Sequence, residues 1–249
     1  MAAKRFIGYY NYTVILTYLG LVAALFGMTQ CLYGRYKTAI VCLMIAGICD
    51  AFDGRVARRR TESTADERSF GVQLDSLCDM ACYGIYPCLI CYMLGVRGVV
   101  GLICIFFFAI CALIRLAYFN VLEINRAAEG EGGPAKYYHG LPVTTISIIL
   151  PIFFMTRFFV PHYIFVILLH IMLVGVGFAF IYDFRVPKLK LRGIVISMLV
   201  VLAMVISCFV LTHFEVPVFP QHPHGIPAYF DSHEPFQPAQ PASPVGFPL

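Results

Sequence analysis

Apolar runs of 17 to 25 residues alternate with short polar segments along most of the chain. A helix needs about 20 apolar residues to cross the hydrocarbon core of a bilayer. The pattern therefore predicts an all-α membrane bundle with seven spans: Tyr12–Met28, Thr38–Arg58, Phe70–Leu94, Gly98–Leu122, Leu141–Phe159, Tyr163–Tyr182 and Gly193–Leu211. A count of six spans, with one weak segment misassigned, is the alternative.

The composition agrees with a polytopic membrane protein. Hydrophobic residues make up 60% of the chain and charged residues 13%, against roughly 25% charged in soluble domains. The mean hydropathy is +0.80. We expect residues 1–211 to form one membrane domain in the lipid bilayer. Residues 212–249 hold nine prolines and no hydrophobic period, which predicts a disordered tail.

The distribution of Lys and Arg predicts the orientation, because these residues concentrate in cytoplasmic loops. With the N-terminus inside, the inner segments hold 13 of the 18 basic residues and the outer loops hold 4. The N-terminus is therefore predicted to be cytoplasmic and the C-terminus external. The net charge of +4 is modest and comes from these short loops, so nucleic-acid binding has little support.

Four aspartates lie where apolar segments meet the polar loop RRTESTADERS, namely Asp50, Asp53, Asp75 and Asp79. Members of each pair are three or four residues apart, so on helices each pair shares one face. Ionised carboxylates at a membrane boundary are costly unless they are balanced, and oxygen ligands favour hard divalent cations over zinc. The pattern predicts a metal site on the cytoplasmic side. The alternative is a set of helix-cap and loop carboxylates.

The whole pattern reads Asp50-x2-Asp53-Gly54-x2-Ala57-Arg58-x12-Gly71-x3-Asp75-x3-Asp79. It resembles the signature of the CDP-alcohol phosphotransferases, membrane enzymes that move a phosphatidyl or similar group from a CDP-linked donor to an alcohol. The gap between Arg58 and Gly71 is longer than is usual in that family, and its extra residues fall in the polar loop. The resemblance implies a six-helix core, to which the seventh span is an addition, and a homodimer.

The resemblance also implies roles for the signature residues. The aspartates would hold Mg²⁺ or Mn²⁺ in a two-metal site, and Asp79 would also act as the general base. Four residues would contact the CDP group: Gly54, Ala57, Arg58 and Gly71. For the two glycines, close helix packing is the alternative. Ser76 and Cys78 lie between Asp75 and Asp79, and helical spacing predicts that both turn away from the aspartate face. Direct attack by the alcohol on the CDP-lipid is therefore favoured over a covalent intermediate.

The segments DSLCDMACYGIYP, RLAYFNV and YYHGLP are similar to those of phosphatidylserine synthases of the membrane-embedded bacterial and archaeal type. This similarity implies CDP-diacylglycerol and L-serine as substrates and a prokaryotic plasma membrane as the location. Arg115 is the one Lys or Arg buried in a predicted span away from its ends, where a charge is functional by default, and Asn120 follows five residues later. We expect both to bind the acceptor. Alternatively, Arg115 pairs with an aspartate of the metal cluster.

Two other functions stay open at this point. A sister enzyme of the same family would use glycerol phosphate or inositol phosphate as the acceptor. A transporter would also carry carboxylates inside the membrane.

Overall fold

The computed structural model describes residues 12–58, 64–128, 137–187, 200 and 203. These residues form six continuous helical segments, one of them divided by a π-helical turn. The α-helices are α1 Tyr12–Leu32, α2 Tyr36–Arg58, α3 Ala65–Asp79, α4 Tyr86–Met93, α5 Gly98–Ala128, α6 Ile146–Thr156 and α7 His162–Ile181. The predicted helical architecture is thus confirmed in this part of the chain.

Among the described residues, four helices are long and apolar enough to cross a membrane, namely Val14–Leu32, Ser69–Met93, Gly98–Leu122 and His162–Ile181. The protein is therefore an integral membrane protein. The fifth apolar helical stretch, Val143–Thr156, is shorter. The predicted seventh span, Gly193–Leu211, and the Pro-rich tail lie outside the described residues, apart from Val200 and Ala203.

The helix that follows the polar loop begins earlier than predicted. It begins at Ala65, because Thr64 caps it: the Thr64 Oγ1 accepts a hydrogen bond of 3.2 Å from the Glu67 backbone N–H. Thr-x-x-Glu is the sequence signature of a capping box. The signature lay in the sequence at Thr64–Glu67, in the stretch that was predicted to be loop.

A π-helical turn, Met80–Ile85, joins α3 to α4 directly after Asp79. Proline has no N–H to donate and its ring crowds the carbonyl four residues earlier. For Pro87 that carbonyl belongs to Tyr83, inside the turn, and the Tyr86 N–H bonds to the more distant Ala81 carbonyl. Turns of this kind are frequent at functional sites. Here the turn follows the second aspartate pair.

The bundle is built around close helix contacts. The helices α1 and α2 form a hairpin through the turn at residues 33–35 and pack along their length, while α5 packs mainly on α7. The side chains of Tyr86 and Cys42 occupy the space where a Cβ of Gly27 would lie. Tyr86 is fully buried and its hydroxyl donates a 2.6 Å hydrogen bond to the Ala39 carbonyl. This contact fastens α4 to α2.

A short antiparallel ladder, absent from the all-α prediction, pairs β1 Tyr137–His139 with β2 Arg185–Pro187. Gly140 follows β1 with a φ of +74°, which favours glycine. Its N–H bonds to the Phe184 carbonyl at 2.8 Å, and the Leu141 N–H bonds to the Ala179 carbonyl at 3.2 Å. These bonds hold the segment before α6 against the end of α7.

We expect Tyr86→Phe to lower the free energy of unfolding by about 1 kcal/mol, because the buried Ala39 carbonyl loses a hydrogen bond. Thermal unfolding in detergent measures the effect. Tyr92→Phe is the control, since Tyr92 lies exposed on the same helix. Equal effects of the two substitutions would contradict a stabilising role for this bond.

Candidate active site

Three of the four predicted aspartates converge in the structure. Asp50 comes from α2, and Asp75 and Asp79 come from α3. One carboxylate oxygen of each lies within 4.8 Å of the others, and all three side chains are half-buried. The spacing of four residues places Asp75 and Asp79 on one helical face, and helix packing brings Asp50 to them.

The carboxylates line a cavity between α1, α2 and the α3 segment. One wall is formed by α1, through Leu16, Thr17, Gly20 and Leu21. Sequence reasoning missed this wall, because α1 is apolar over most of its length and Thr17 stands in no recognisable motif. The remaining lining residues are Ala46, Cys78, Cys82 and Tyr83.

The expectation that Cys78 turns away from the aspartates is wrong. Cys78 lines the same cavity as Asp75 and Asp79. The reason is that a helical face spans more than the residues exactly four apart, so a residue next to Asp79 still borders a cavity enclosed by two other helices. Ser76 instead bonds to Asn120 of α5.

The other signature residues of α2 follow Asp50 on the same helix. Asp53, Gly54, Ala57 and Arg58 all lie within α2, but their side chains fall outside the described part of the structure. Gly71 lies on α3, and no described atom comes within 4 Å of the position that its Cβ would occupy. Among the described residues, close helix packing therefore does not account for Gly71.

Arg115 is buried in α5 and holds the segment before α6. Its Nε donates a 3.1 Å hydrogen bond to the Leu141 carbonyl, and its Cζ lies 6.0 Å from the centre of the Phe119 ring. The contact with Leu141 was not predicted. It connects Arg115 to the segment YYHGLP, which contains β1 and Gly140.

Asn120 bridges to the aspartate helix. Its Oδ1 accepts a 2.6 Å hydrogen bond from the Ser76 hydroxyl, one residue after Asp75. An amide whose oxygen is engaged in this way still has its NH₂ group as a donor. The predicted acceptor residues thus both lie on α5, and Asn120 is connected directly to α3.

The chemistry of the cluster follows from its donor atoms. Three carboxylates supply oxygen ligands only, which suits hard divalent cations. Oxygens bound to one Mg²⁺ at about 2.1 Å lie at most about 4.2 Å apart, so the cluster needs only a small adjustment to hold an ion. The described aspartates can therefore bind a metal ion.

The sequence was compared with known proteins. It is 35% identical over 116 residues to a Saccharomyces cerevisiae CDP-diacylglycerol–serine O-phosphatidyltransferase, covering 46% of this chain and 41% of that protein. It is 28% identical over 127 residues to an archaetidylserine synthase of Methanothermobacter thermautotrophicus, covering 51% and 50%. It is 34% identical over 111 residues to a Mycobacterium tuberculosis CDP-diacylglycerol–serine O-phosphatidyltransferase, covering 43% and 37%. The matched segments thus span half or less of the length of these relatives.

The sequence model of the CDP-alcohol phosphatidyltransferases matches residues 10–181. This match includes α1 to α7 completely and contains the whole aspartate pattern. The chain therefore belongs to the CDP-alcohol phosphatidyltransferase family.

Proposed function

We propose that this protein transfers the phosphatidyl group from CDP-diacylglycerol to the hydroxyl of L-serine, giving phosphatidylserine and CMP. The observation that carries the proposal is the convergence of Asp50, Asp75 and Asp79 in one cavity of a membrane bundle. Family membership supplies the reaction class. The names of the yeast and mycobacterial relatives supply serine as the acceptor.

Asp50 and Asp75 would hold Mg²⁺ or Mn²⁺ together with Asp53, and Asp79 would complete the site. The three described carboxylates fit such an ion by their spacing and their oxygen donors. When bound, two divalent ions would neutralise the pyrophosphate and stabilise the charge that develops on the departing CMP.

Asp79 is proposed as the general base. It lies one helical turn beyond Asp75 and borders the same cavity. The serine hydroxyl oxygen forms a bond to the phosphorus that carries diacylglycerol, and the bond from that phosphorus to the CMP oxygen breaks. The hydroxyl proton passes to the Asp79 carboxylate, and CMP leaves with the electron pair of the broken bond. The step needs no further reactant.

The CDP group is assigned to the face that follows Asp50 on α2. Gly54 and Ala57 would leave this helix face without bulky side chains, so that the nucleotide approaches the backbone closely. Arg58 would donate its planar fork of N–H groups to pyrophosphate oxygens. No described atom lies within 4 Å of the Gly71 Cβ position, which supports a place for the nucleotide beside α3.

The acceptor is assigned to α5. Serine carries a carboxylate, for which a buried guanidinium is a suitable partner. Since the Nε of Arg115 is engaged by Leu141, the terminal nitrogens would serve the carboxylate, and Asn120 would contribute its NH₂ group. A sister enzyme acting on glycerol phosphate or inositol phosphate would need further cations for the acceptor phosphate.

The wider organisation is also a proposal. Residues 1–211 would form the membrane domain, with a six-helix core, a seventh span and a cytoplasmic active site. The tail of residues 212–249 would lie outside, and the protein would form a homodimer in a prokaryotic plasma membrane. The six continuous helical segments of the described residues support the core.

The metal site predicts a difference between two aspartates of the same helix. Asp75→Asn should weaken Mn²⁺ binding at least about tenfold, because a neutral amide is a poor ligand for a hard cation. Asp66→Asn is the matched control, since Asp66 lies exposed in the first turn of α3. Titration of Mn²⁺ followed by electron paramagnetic resonance measures both. Equal affinity of the two variants would remove Asp75 from the metal site.

The proposed reaction is tested with the purified full chain, CDP-diacylglycerol, Mn²⁺ or Mg²⁺ and each acceptor in turn. We expect CMP release with L-serine and not with glycerol phosphate or inositol phosphate. Asp79→Asn should reduce turnover about 10²-fold or more, the usual contribution of a positioned base, while CDP-diacylglycerol binding is kept. Release with a phosphorylated alcohol alone would establish the sister activity. No release with any acceptor would overturn the proposal and favour a transporter.

Arg115→Lys tests the acceptor site. Lysine keeps the charge but loses the planar fork, so the KM for serine should rise about tenfold while that for CDP-diacylglycerol changes little. Arg115 also donates a hydrogen bond to the Leu141 carbonyl, so the substitution could displace Leu141 as well as weaken serine binding. The thermal stability of the variant is therefore measured in parallel. A similar rise in both KM values would instead assign Arg115 to the pyrophosphate or metal site.

A further inference from the structure

The two ends of the bundle differ in charge. The acidic residues that the structure describes all lie in segments at the aspartate end: Asp50, Asp53, Asp66, Glu67, Asp75, Asp79, Glu123 and Asp183. The opposite end is formed by the turns between α1 and α2, between α4 and α5 and between α6 and α7. It carries Arg35, Lys37, Arg97 and Arg157. None of the described residues in these three turns is acidic.

The distance between the two ends excludes a direct connection. Tyr36 begins α2 and Asp50 lies fourteen residues later. At a rise of 1.5 Å per residue the two are about 21 Å apart along the helix axis. The cations at the opposite end therefore serve neither the metal cluster nor the CDP group.

Arg157 contacts Tyr36, and the turn that carries Arg97 packs through Gly95 against His162 at the start of α7, five residues after Arg157. The Cζ of Arg157 lies 5.8 Å from the centre of the Tyr36 ring, and both side chains are half-buried. Burial raises the pKa of the Tyr36 phenol, and the positive charges of Arg157 and Arg97 oppose that rise. Burial also lowers the pKa of the Arg157 guanidinium. The Arg157 guanidinium thus lies beside the Tyr36 ring in a partly desolvated place, whereas the Arg97 side chain is exposed.

The turn that carries Arg97 is held in position. The Arg97 Nε donates a 3.3 Å hydrogen bond to the Tyr92 carbonyl, and its Cζ lies 5.4 Å from the centre of the Tyr92 ring. Gly95 in the same turn has a φ of +120° and packs against Val166 in the first turns of α7. The exposed Arg97 side chain thus has a hydrogen bond and a ring contact with Tyr92 that orient its guanidinium.

Exposed apolar residues flank both arginines. Phe159, two residues after Arg157, is 81% exposed, and Val99, two residues after Arg97, is 77% exposed. A soluble phosphate makes no apolar contact with these side chains, whereas the acyl chains of a lipid would pack against them. Cations at the headgroup level beside apolar surface match an amphiphile whose head is anionic.

We propose that Arg157 and Arg97 bind the phosphate of an anionic phospholipid headgroup at the end of the bundle opposite the aspartates. The terminal nitrogens of Arg157 and Arg97 donate to the phosphate oxygens, and the acyl chains lie along Phe159 and Val99. Arg35 and Lys37 add positive potential that favours a headgroup with net negative charge over a zwitterion. This site goes beyond the proposed reaction, since it lies about 21 Å from the aspartates and takes no part in the transfer.

The experiment measures lipid retention by native mass spectrometry of the full chain, without CDP-diacylglycerol, metal or serine. The probes are phosphatidylglycerol and phosphatidylcholine with the same acyl chains, and inorganic phosphate at millimolar concentration. The wild type should retain phosphatidylglycerol in preference to phosphatidylcholine. Arg157→Gln and Arg97→Gln should each weaken this binding about five- to tenfold.

Arg35→Gln is the matched control. It removes the same charge from the same end, but its guanidinium donates to Gln30 Oε1 at 3.2 Å and lies outside the Arg157–Tyr36 contact. We expect less than about twofold loss for this variant. Arg157→Lys, which keeps the charge, serves if Arg157→Gln does not fold, and should bind more weakly than the wild type because it lacks the planar fork.

Three outcomes would overturn the proposal. Equal losses for Arg35→Gln and Arg97→Gln would mean diffuse attraction without a site. Equal retention of the two lipids would show that the site does not prefer an anionic headgroup. Displacement of phosphatidylglycerol by inorganic phosphate would identify a site for free phosphate. Because no substrate is present, the results are independent of the transfer reaction.

Discussion

The main constraint on this structure is the repulsion between carboxylates that two helices bring together in one cavity. Two like charges about 4 Å apart near a protein surface repel by about 4 kcal/mol. In this cluster one oxygen of each of three carboxylates lies within 4.8 Å of the others. A bundle that keeps Asp50 beside Asp75 and Asp79 must therefore be stable enough elsewhere to hold them in place. The close contact of α1 with α2 and the buried Tyr86–Ala39 hydrogen bond supply part of that support. The candidate metal site is thus built on packing that lies deeper in the bundle.

Much of the fold and of the site was predictable from the sequence, because both rest on short-range periodicity. Apolar runs located the helices, and the four-residue spacing of Asp75 and Asp79 placed both on one face. The approach of Asp50 to α3 could not be derived from helical spacing, since no spacing within one helix determines where α2 lies relative to α3. The Thr64–Glu67 capping signature could have located the start of α3, but the polar composition around it predicted a loop instead.

Other parts could not be read from the sequence, since they depend on tertiary contacts. Thr17 reaches the cavity because α1 packs beside both aspartate helices, and nothing in its neighbourhood distinguishes it from other residues of α1. The bond from Arg115 to Leu141 connects residues that are 26 positions apart. The ladder of β1 and β2 joins segments separated by two helices. Contacts of this range are determined by the assembled bundle.

The π-helical turn after Asp79 has a consequence for how the family can vary. Such a turn accommodates one more residue than an α-helical turn, and each residue advances an α-helix by about 100°. Everything from Tyr86 onward is therefore rotated relative to the aspartates, which lets α4 present Tyr86 to the core while α3 presents its carboxylates to the cavity. Deleting a single residue between Asp79 and Pro87 would rotate α4 by about 100° relative to α3. Tyr86 and the carboxylates could then not face the core and the cavity at the same time. Insertions and deletions should thus be tolerated poorly in these few positions and readily in the polar loop on the other side of the aspartates.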